Sequence, residues 1–114
     1  MHRLDEALSD FTQAIALAPN WAAPYFNRGN IYLDRHDNSR AIADYDAAIE
    51  RDADLAYAYL NRGIALEASG DIERCRTDYE HALLLDPTMQ KARERLARIA
   101  PSPASALTPN TVAD

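Results

Sequence analysis

Glycine, cysteine and long apolar runs are scarce in this chain, and each scarcity excludes something. Three glycines in 114 residues leave no phosphate-cradling glycine loop and no nucleophile elbow. One cysteine, Cys75, permits neither an intramolecular disulfide nor a cysteine-based metal cage. Apolar residues are 47% of the chain, yet no run approaches the length of a membrane span. The opening MHRLDEALSDF lacks the apolar core of a signal peptide. Basic residues are also short: Lys and Arg number 12 against 18 acids, a net charge of −6. Nucleic acid demands a basic face that displaces counterions, so this balance argues against it. A single soluble, cytoplasmic domain is expected, with no nucleic-acid or membrane partner.

Catalytic and metal chemistry are equally poorly supplied. None of His2, His36 and His81 stands three or four residues from another histidine, and His81 and Cys75 are six apart, a weak spacing for ligands. His36 reads as a turn residue, His2 as a frayed end and His81 as a solvated helical position. Asp44 and Asp46 fall on different faces of one helix. No enzyme activity, cofactor or metal is expected.

What the chain does have is a repeat. Tyr25, Asn27, Arg28, Gly29, Asp37, Asp44, Tyr45, Ala48 and Asp52 return 34 residues later as Tyr59, Asn61, Arg62, Gly63, Asp71, Asp78, Tyr79, Ala82 and Asp86. One step earlier, Asp10, Phe11, Ala14 and Ile15 fill the matching places. A period of this length means stacked units that bury their apolar faces on their neighbours. Apolar spacing predicts helices over about 3–18, 22–35, 39–51, 56–69, 72–85 and 88–100. Pro19 and Pro87 stop and start them, Pro24 is tolerated in a first turn, and Gly70-Asp71 supplies a left-handed end followed by a cap. Trp21, Leu55 and Met89 recur before helices, where they are expected to staple the incoming chain. Residues 101–114 have three prolines and little to bury, and are expected to be disordered.

Gly29 and Gly63 fall mid-helix, where glycine costs about 1 kcal/mol against alanine. Equivalent glycines therefore imply a neighbouring helix too close for a side chain. Ala41 and Cys75 share another small slot, which makes Cys75 a buried apolar residue rather than a reactive thiol. Arg28 and Arg62 are expected to form structural ion pairs with Asp10, Asp44 and Asp78.

These residues resemble the tetratricopeptide repeat family, through Tyr25, Arg28-Gly29, Tyr32, Ala41, Tyr45 and Ala48 in one copy. Tyr59, Arg62-Gly63, Leu66, Cys75, Tyr79, Ala82 and Pro87 carry it in the next, and Ala7, Phe11, Ala14 and Pro19 in a half copy. Arginine stands where the family usually has leucine before the glycine, and Ala53 where it has proline. The resemblance implies an all-α fold: a right-handed superhelical stack of antiparallel helix pairs, an α-solenoid of about six helices. The divisions expected are 1–21 (second helix of an incomplete repeat), 22–55 and 56–88 (full repeats), 89–100 (capping helix) and the 101–114 tail.

In that family the first helices of successive repeats line a concave surface on which an extended peptide lies. The matching face here carries Phe26, Asn27, Asn30 and Asp34, then Tyr57, Asn61 and Ile64, then Lys91, Arg95 and Arg98. From Lys91 to Arg98 four positive charges face one acid, Glu94, a local +3. Some family members clamp the C-terminal carboxylates of heat-shock chaperones with a Lys and Asn four apart, a further Asn, and a Lys and Arg four apart. Asn30, Asn61, Lys91 and Arg95 are similar to that set; Phe26 replaces its first lysine. A terminal helix also has its own reasons to be charged, since one face must be wetted and cations suit a helix C-terminus. The sequence therefore implies an interaction scaffold for a protein or peptide partner. The alternative is a segment of a larger or homodimeric assembly, joined through the incomplete N-terminal repeat. Copy differences such as Phe26 against Leu60 are the expected carriers of function.

Overall fold

The computed structural model describes residues 2–99, with the side chain of His2 outside that description. The expectation for 101–114 also lies outside it. The described residues form six helices: α1 (His2–Leu17), α2 (Ala22–Asp34), α3 (Asn38–Arg51), α4 (Ala56–Ala68), α5 (Ile72–Leu85) and α6 (Gln90–Arg98). Boundaries agree with the sequence pattern to within two residues. Ile99 is extended (ψ 148°), so α6 stops short of residue 100.

Each helix pair is closed by the same short turn. His36 takes φ 62° and Gly70 takes φ 89°, the left-handed step that ends a helix. The amides of His36 and Asp37 reach back to the carbonyls of Leu33 and Tyr32, and those of Gly70 and Asp71 to Glu67 and Leu66. These are the crossed bonds of a Schellman end. Asp37 and Asp71 then cap the next helix, accepting from the amides of Arg40 and Arg74 at 3.3 and 3.4 Å. With one residue serving as both stop and start, the two helices of a pair must run antiparallel.

Between pairs, Tyr25 and Tyr59 donate their hydroxyls to the carbonyls of Pro19 and Ala53, each at 3.1 Å. The acceptor is a backbone oxygen, so alanine serves where the family has proline. Met89 is buried, but Trp21 is 58% exposed. All three residues expected as staples occupy the N-cap itself; among the described residues only α1 precedes Trp21, whereas a full helix pair precedes Met89.

Within pairs the small residues do what their recurrence requires. A Cβ on Gly29 would meet Tyr45 Cε1 at 2.9 Å, and one on Gly63 would meet Tyr79 Cε1 at 2.6 Å. Tyr45, Tyr79, Ala41 and Cys75 are fully buried, and burial, then the charge of Glu67, pushes the Cys75 thiol up to about 11. Arg28 grips Asp44 with two bonds of 2.8 Å, and Arg62 grips Asp78 at 2.9 and 2.8 Å. The third aspartate differs from expectation. Asp10 holds neither arginine; Arg28 reaches Thr12 at 3.3 Å and Arg62 reaches Asp46 at 2.9 Å. On the preceding second helix each arginine meets the side chain two positions after the aspartate slot, Thr12 for Arg28 and Asp46 for Arg62, rather than the aspartate slot itself.

Candidate functional site

Helices α2, α4 and α6 are the first helices of successive pairs, and their shared face carries a polar line. Asn30 Oδ1 accepts from Tyr45 Oη at 2.6 Å and from Asn61 Nδ2 at 2.9 Å. Both lone pairs of that oxygen are thereby filled, and the Asn30 amide nitrogen remains a donor. Thirty-four residues on, Ile64 stands in the place of Asn30 and has no acceptor. Tyr79 Oη turns instead to Glu67 Oε1 at 2.6 Å, and Arg95 Nη1 meets the same oxygen at 3.5 Å. Burial is the largest cause raising the Tyr45 and Tyr79 hydroxyls well above the ordinary phenol range; the charges of Asp34 and Glu67 add to it.

Leu33, His36, Ile64, Glu67 and Arg95 surround a cavity of about 360 Å³ on this face. Arg95 occupies the slot that Asn61 holds one repeat earlier, and its Nε is buried without a hydrogen-bond partner. Lys91, one turn before Arg95, and Arg98 are exposed and make no ion pair among the described residues. The arrangement can offer amide donors, an apolar wall and two cations one turn apart, with one resident carboxylate among them.

The remaining predicted residues scatter. Phe26 is half-buried against Tyr45, with ring centroids 6.0 Å apart, and lines a separate cavity of about 370 Å³ with Trp21 and Leu55. Asn27 lines a third, of about 260 Å³, facing Asp10 and Phe11 of α1. Asp34 is exposed at the end of α2, and Tyr57 is 56% exposed. Asn30, Asn61, Ile64 and Arg95 thus come together, with Lys91 alongside. Leu60, expected to carry function by its difference from Phe26, is 1% exposed in the core. His81 is exposed, as expected, and its ring stacks on Tyr59 with centroids 4.0 Å apart. Glu67 falls on the same face of α4 by helical spacing, and leucine, Leu33, stands in its slot one copy earlier.

Two family models, described as TPR repeat and tetratricopeptide repeat, match residues 29–70 and 56–89. The chain is 30% identical to the Arabidopsis OM64 TPR domain, with a TM-score of 0.82, covering 85% of this chain and 80% of that one. It belongs to the tetratricopeptide repeat family. This tetratricopeptide module is also similar to the first TPR of Spaghetti (RPAP3), solved bound to the HSP90 peptide SRMEEVD: 27% identity, TM-score 0.82, coverage 85% and 77%. The second TPR domain of human RPAP3, in complex with the HSP70 peptide SGPTIEEVD, gives 28% identity, TM-score 0.82 and coverage 89% and 84%. No curated protein sequence matches the chain significantly. No helix among the described residues is long and apolar enough to cross a membrane.

Proposed function

We propose that this module is an interaction scaffold, not an enzyme, that holds an extended peptide ending in a carboxylate across α2, α4 and α6. The observation that carries this is the line Asn30–Asn61–Arg95, with Lys91 unpaired beside it. Amides supply donors to a peptide backbone, and a lysine and an arginine one turn apart both reach one carboxylate. The RPAP3 domains that the chain is similar to were solved with peptides ending in Glu-Glu-Val-Asp, which supports an acidic C-terminus as the ligand class. The net charge of −6 sets the module against nucleic acid, and we assign it to the cytoplasm on the sequence features above. Titration with SRMEEVD, against the chain and its Lys91→Ala/Arg95→Ala variant, tests the reading. The variant is expected to bind at least about tenfold more weakly, each lost charge-assisted bond contributing roughly 1.5 kcal/mol. Equal binding by both, or none by either, removes it.

A second reading is favoured by α1, whose Leu4 is 37% exposed and whose neighbour Trp21 is 58% exposed. Here the module is a segment of a larger assembly that joins through α1, a homodimer being its simplest form. Light scattering on the chain and on Leu8→Glu checks it: a dimer abolished by the substitution supports the homodimer, whereas a monomer in both excludes it.

A further inference from the structure

The packing requires an acceptor at Glu67 but not its charge. Tyr79 donates its buried hydroxyl to Glu67 Oε1 at 2.6 Å. A neutral amide serves its counterpart equally well, since Tyr45 donates to Asn30 Oδ1 at 2.6 Å. Both contacts of the carboxylate, from Tyr79 and from Arg95 Nη1, fall on Oε1. Oε2 makes no hydrogen bond or ion pair among the described residues. Nor is it a buried atom, for Arg95 Nε is the one buried side-chain polar atom left without a partner among those residues. Glu67 Oε2 is an open anionic acceptor.

Glu67 borders the cavity of about 360 Å³, whose apolar lining is Leu33, Ile64 and Ala68. Asn38, in the same lining, makes no side-chain hydrogen bond among the described residues and offers a second, neutral acceptor. Charge decides what such a cavity receives. The one cation near Glu67 is Arg95, 3.5 Å from the other oxygen, and Arg95 is the group that a ligand carboxylate takes. Once it is taken, Glu67 has no cation of its own in a protein of net charge −6. A basic side chain suits both halves of the cavity, because its aliphatic stem lies on apolar surface while its head stays with the charge.

We propose that Glu67 determines specificity, and that the peptide this groove takes carries a basic side chain two or three residues before its last. The stem of that side chain lies on Leu33, Ile64 and Ala68, and its head pairs with Glu67 Oε2. Four charges then alternate across the site: ligand carboxylate, Arg95, Glu67, ligand cation. A glutamate in the same place faces Glu67 directly and is disfavoured. This inference rests on the reading that a carboxylate-ended peptide lies in the groove, and adds a residue preference to it. An extended chain advances about 3.3 Å per residue, which sets these two positions about 7–10 Å from the carboxylate. Successive side chains point to opposite sides, so one of the two should respond and its neighbour should not.

The parent probe is SGPTIEEVD, which has no basic residue. Lysine replaces its third-last or fourth-last residue, giving SGPTIEKVD and SGPTIKEVD, and its first residue in the control KGPTIEEVD. Calorimetric titration compares the four on the chain and on Glu67→Gln, which keeps an oxygen for Tyr79. One of the two internal lysines is expected to tighten binding to the chain about tenfold over the parent. Most of that factor should vanish on Glu67→Gln, the signature of one shared interaction. The terminal carboxylate is common to every probe, so its repulsion by Glu67 cancels in each ratio. The control reports overall charge, and its factor should be the same on both chains. Equal factors on both chains for the internal lysines, or no gain from either, overturn the proposal while the carboxylate-ended peptide stands. If no probe binds, and SRMEEVD does not bind either, the groove reading falls and this inference falls with it.

Discussion

Glu67→Gln should tighten binding of a carboxylate-ended peptide, and the geometry gives the size of the effect. Glu67 Oε1 accepts from Tyr79 Oη at 2.6 Å and meets Arg95 Nη1 at 3.5 Å. A ligand carboxylate that takes the open edge of the Arg95 guanidinium therefore lies beside a carboxylate already there, about 5 Å away. Two like charges at that separation repel by about 1 kcal/mol in a water-like medium and about 3 kcal/mol at an effective dielectric of 20. The Arg95 and Glu67 side chains are 25% and 32% exposed, so a value of about 1–2 kcal/mol applies, or roughly 5- to 30-fold in affinity. Glutamine keeps an oxygen for the Tyr79 hydroxyl and the same volume, so stability should hardly change. Calorimetric titration with SRMEEVD measures the gain, which should shrink near ~1 M salt, where the screening length falls to about 3 Å. An affinity that is unchanged or weaker at low salt, with Tm unaltered, would refute the idea that Glu67 competes with the ligand.

Four further outcomes follow from the packing. Gly63→Ala should destabilise by about 1–2 kcal/mol in urea unfolding, overpacking against the buried Tyr79 ring outweighing about 1 kcal/mol of helix propensity; Gly29→Ala, with its closest approach at 2.9 Å, should cost less. Arg62→Met should cost about 3–5 kcal/mol because it strands Asp78, 4% exposed, while adding Asp78→Leu should recover part of that loss. His36→Gly should raise stability by roughly 0.5–1 kcal/mol, since it removes the left-handed penalty at φ 62°. Burial raises Cys75 to about 11, so its contribution is complete below the unfolded thiol value of about 8.5 and is lost as pH climbs through 11. Cys75→Ala should flatten that alkaline decline in chemical-denaturation midpoints, and an unaltered slope would dismiss the thiol as its source.

Much of this fold could be read in advance because its determinants are local and recur. A left-handed residue followed by aspartate fixes each turn, and a mid-helix glycine with an aromatic 16 residues on fixes each close approach. The Arg28–Asp44 and Arg62–Asp78 pairs were legible for the same reason. Reading failed where the answer depended on which neighbour covers a face. Helical spacing puts Leu60 beside Asn61 and Ile64, yet only the stacked neighbours reveal that Leu60 is core. Asn27 and Asn61 are the same residue in register, but Asn61 has a first helix in front of it and Asn27 has the open face of α1. Trp21 differs from Met89 in the same way.

The candidate site turns on a small exchange between the two repeats. Tyr45 and Tyr79 are both buried, and a buried hydroxyl needs an acceptor. The first repeat provides one as Asn30, with leucine at position 33; the second has Ile64 in the asparagine slot and Glu67 in the leucine slot. A neutral amide acceptor has thus been traded for a carboxylate one turn further along the helix. The hydroxyl is satisfied either way, but the second solution sets a negative charge within reach of Arg95. Losing the acceptor at Ile64 and gaining one at Glu67 are therefore coupled. Glu67→Leu would copy the first repeat at that position yet orphan Tyr79, and Ile64→Asn would have to accompany it. That double exchange should leave the stack intact while freeing Arg95, which makes the charge of the groove a consequence of how each tyrosine is satisfied.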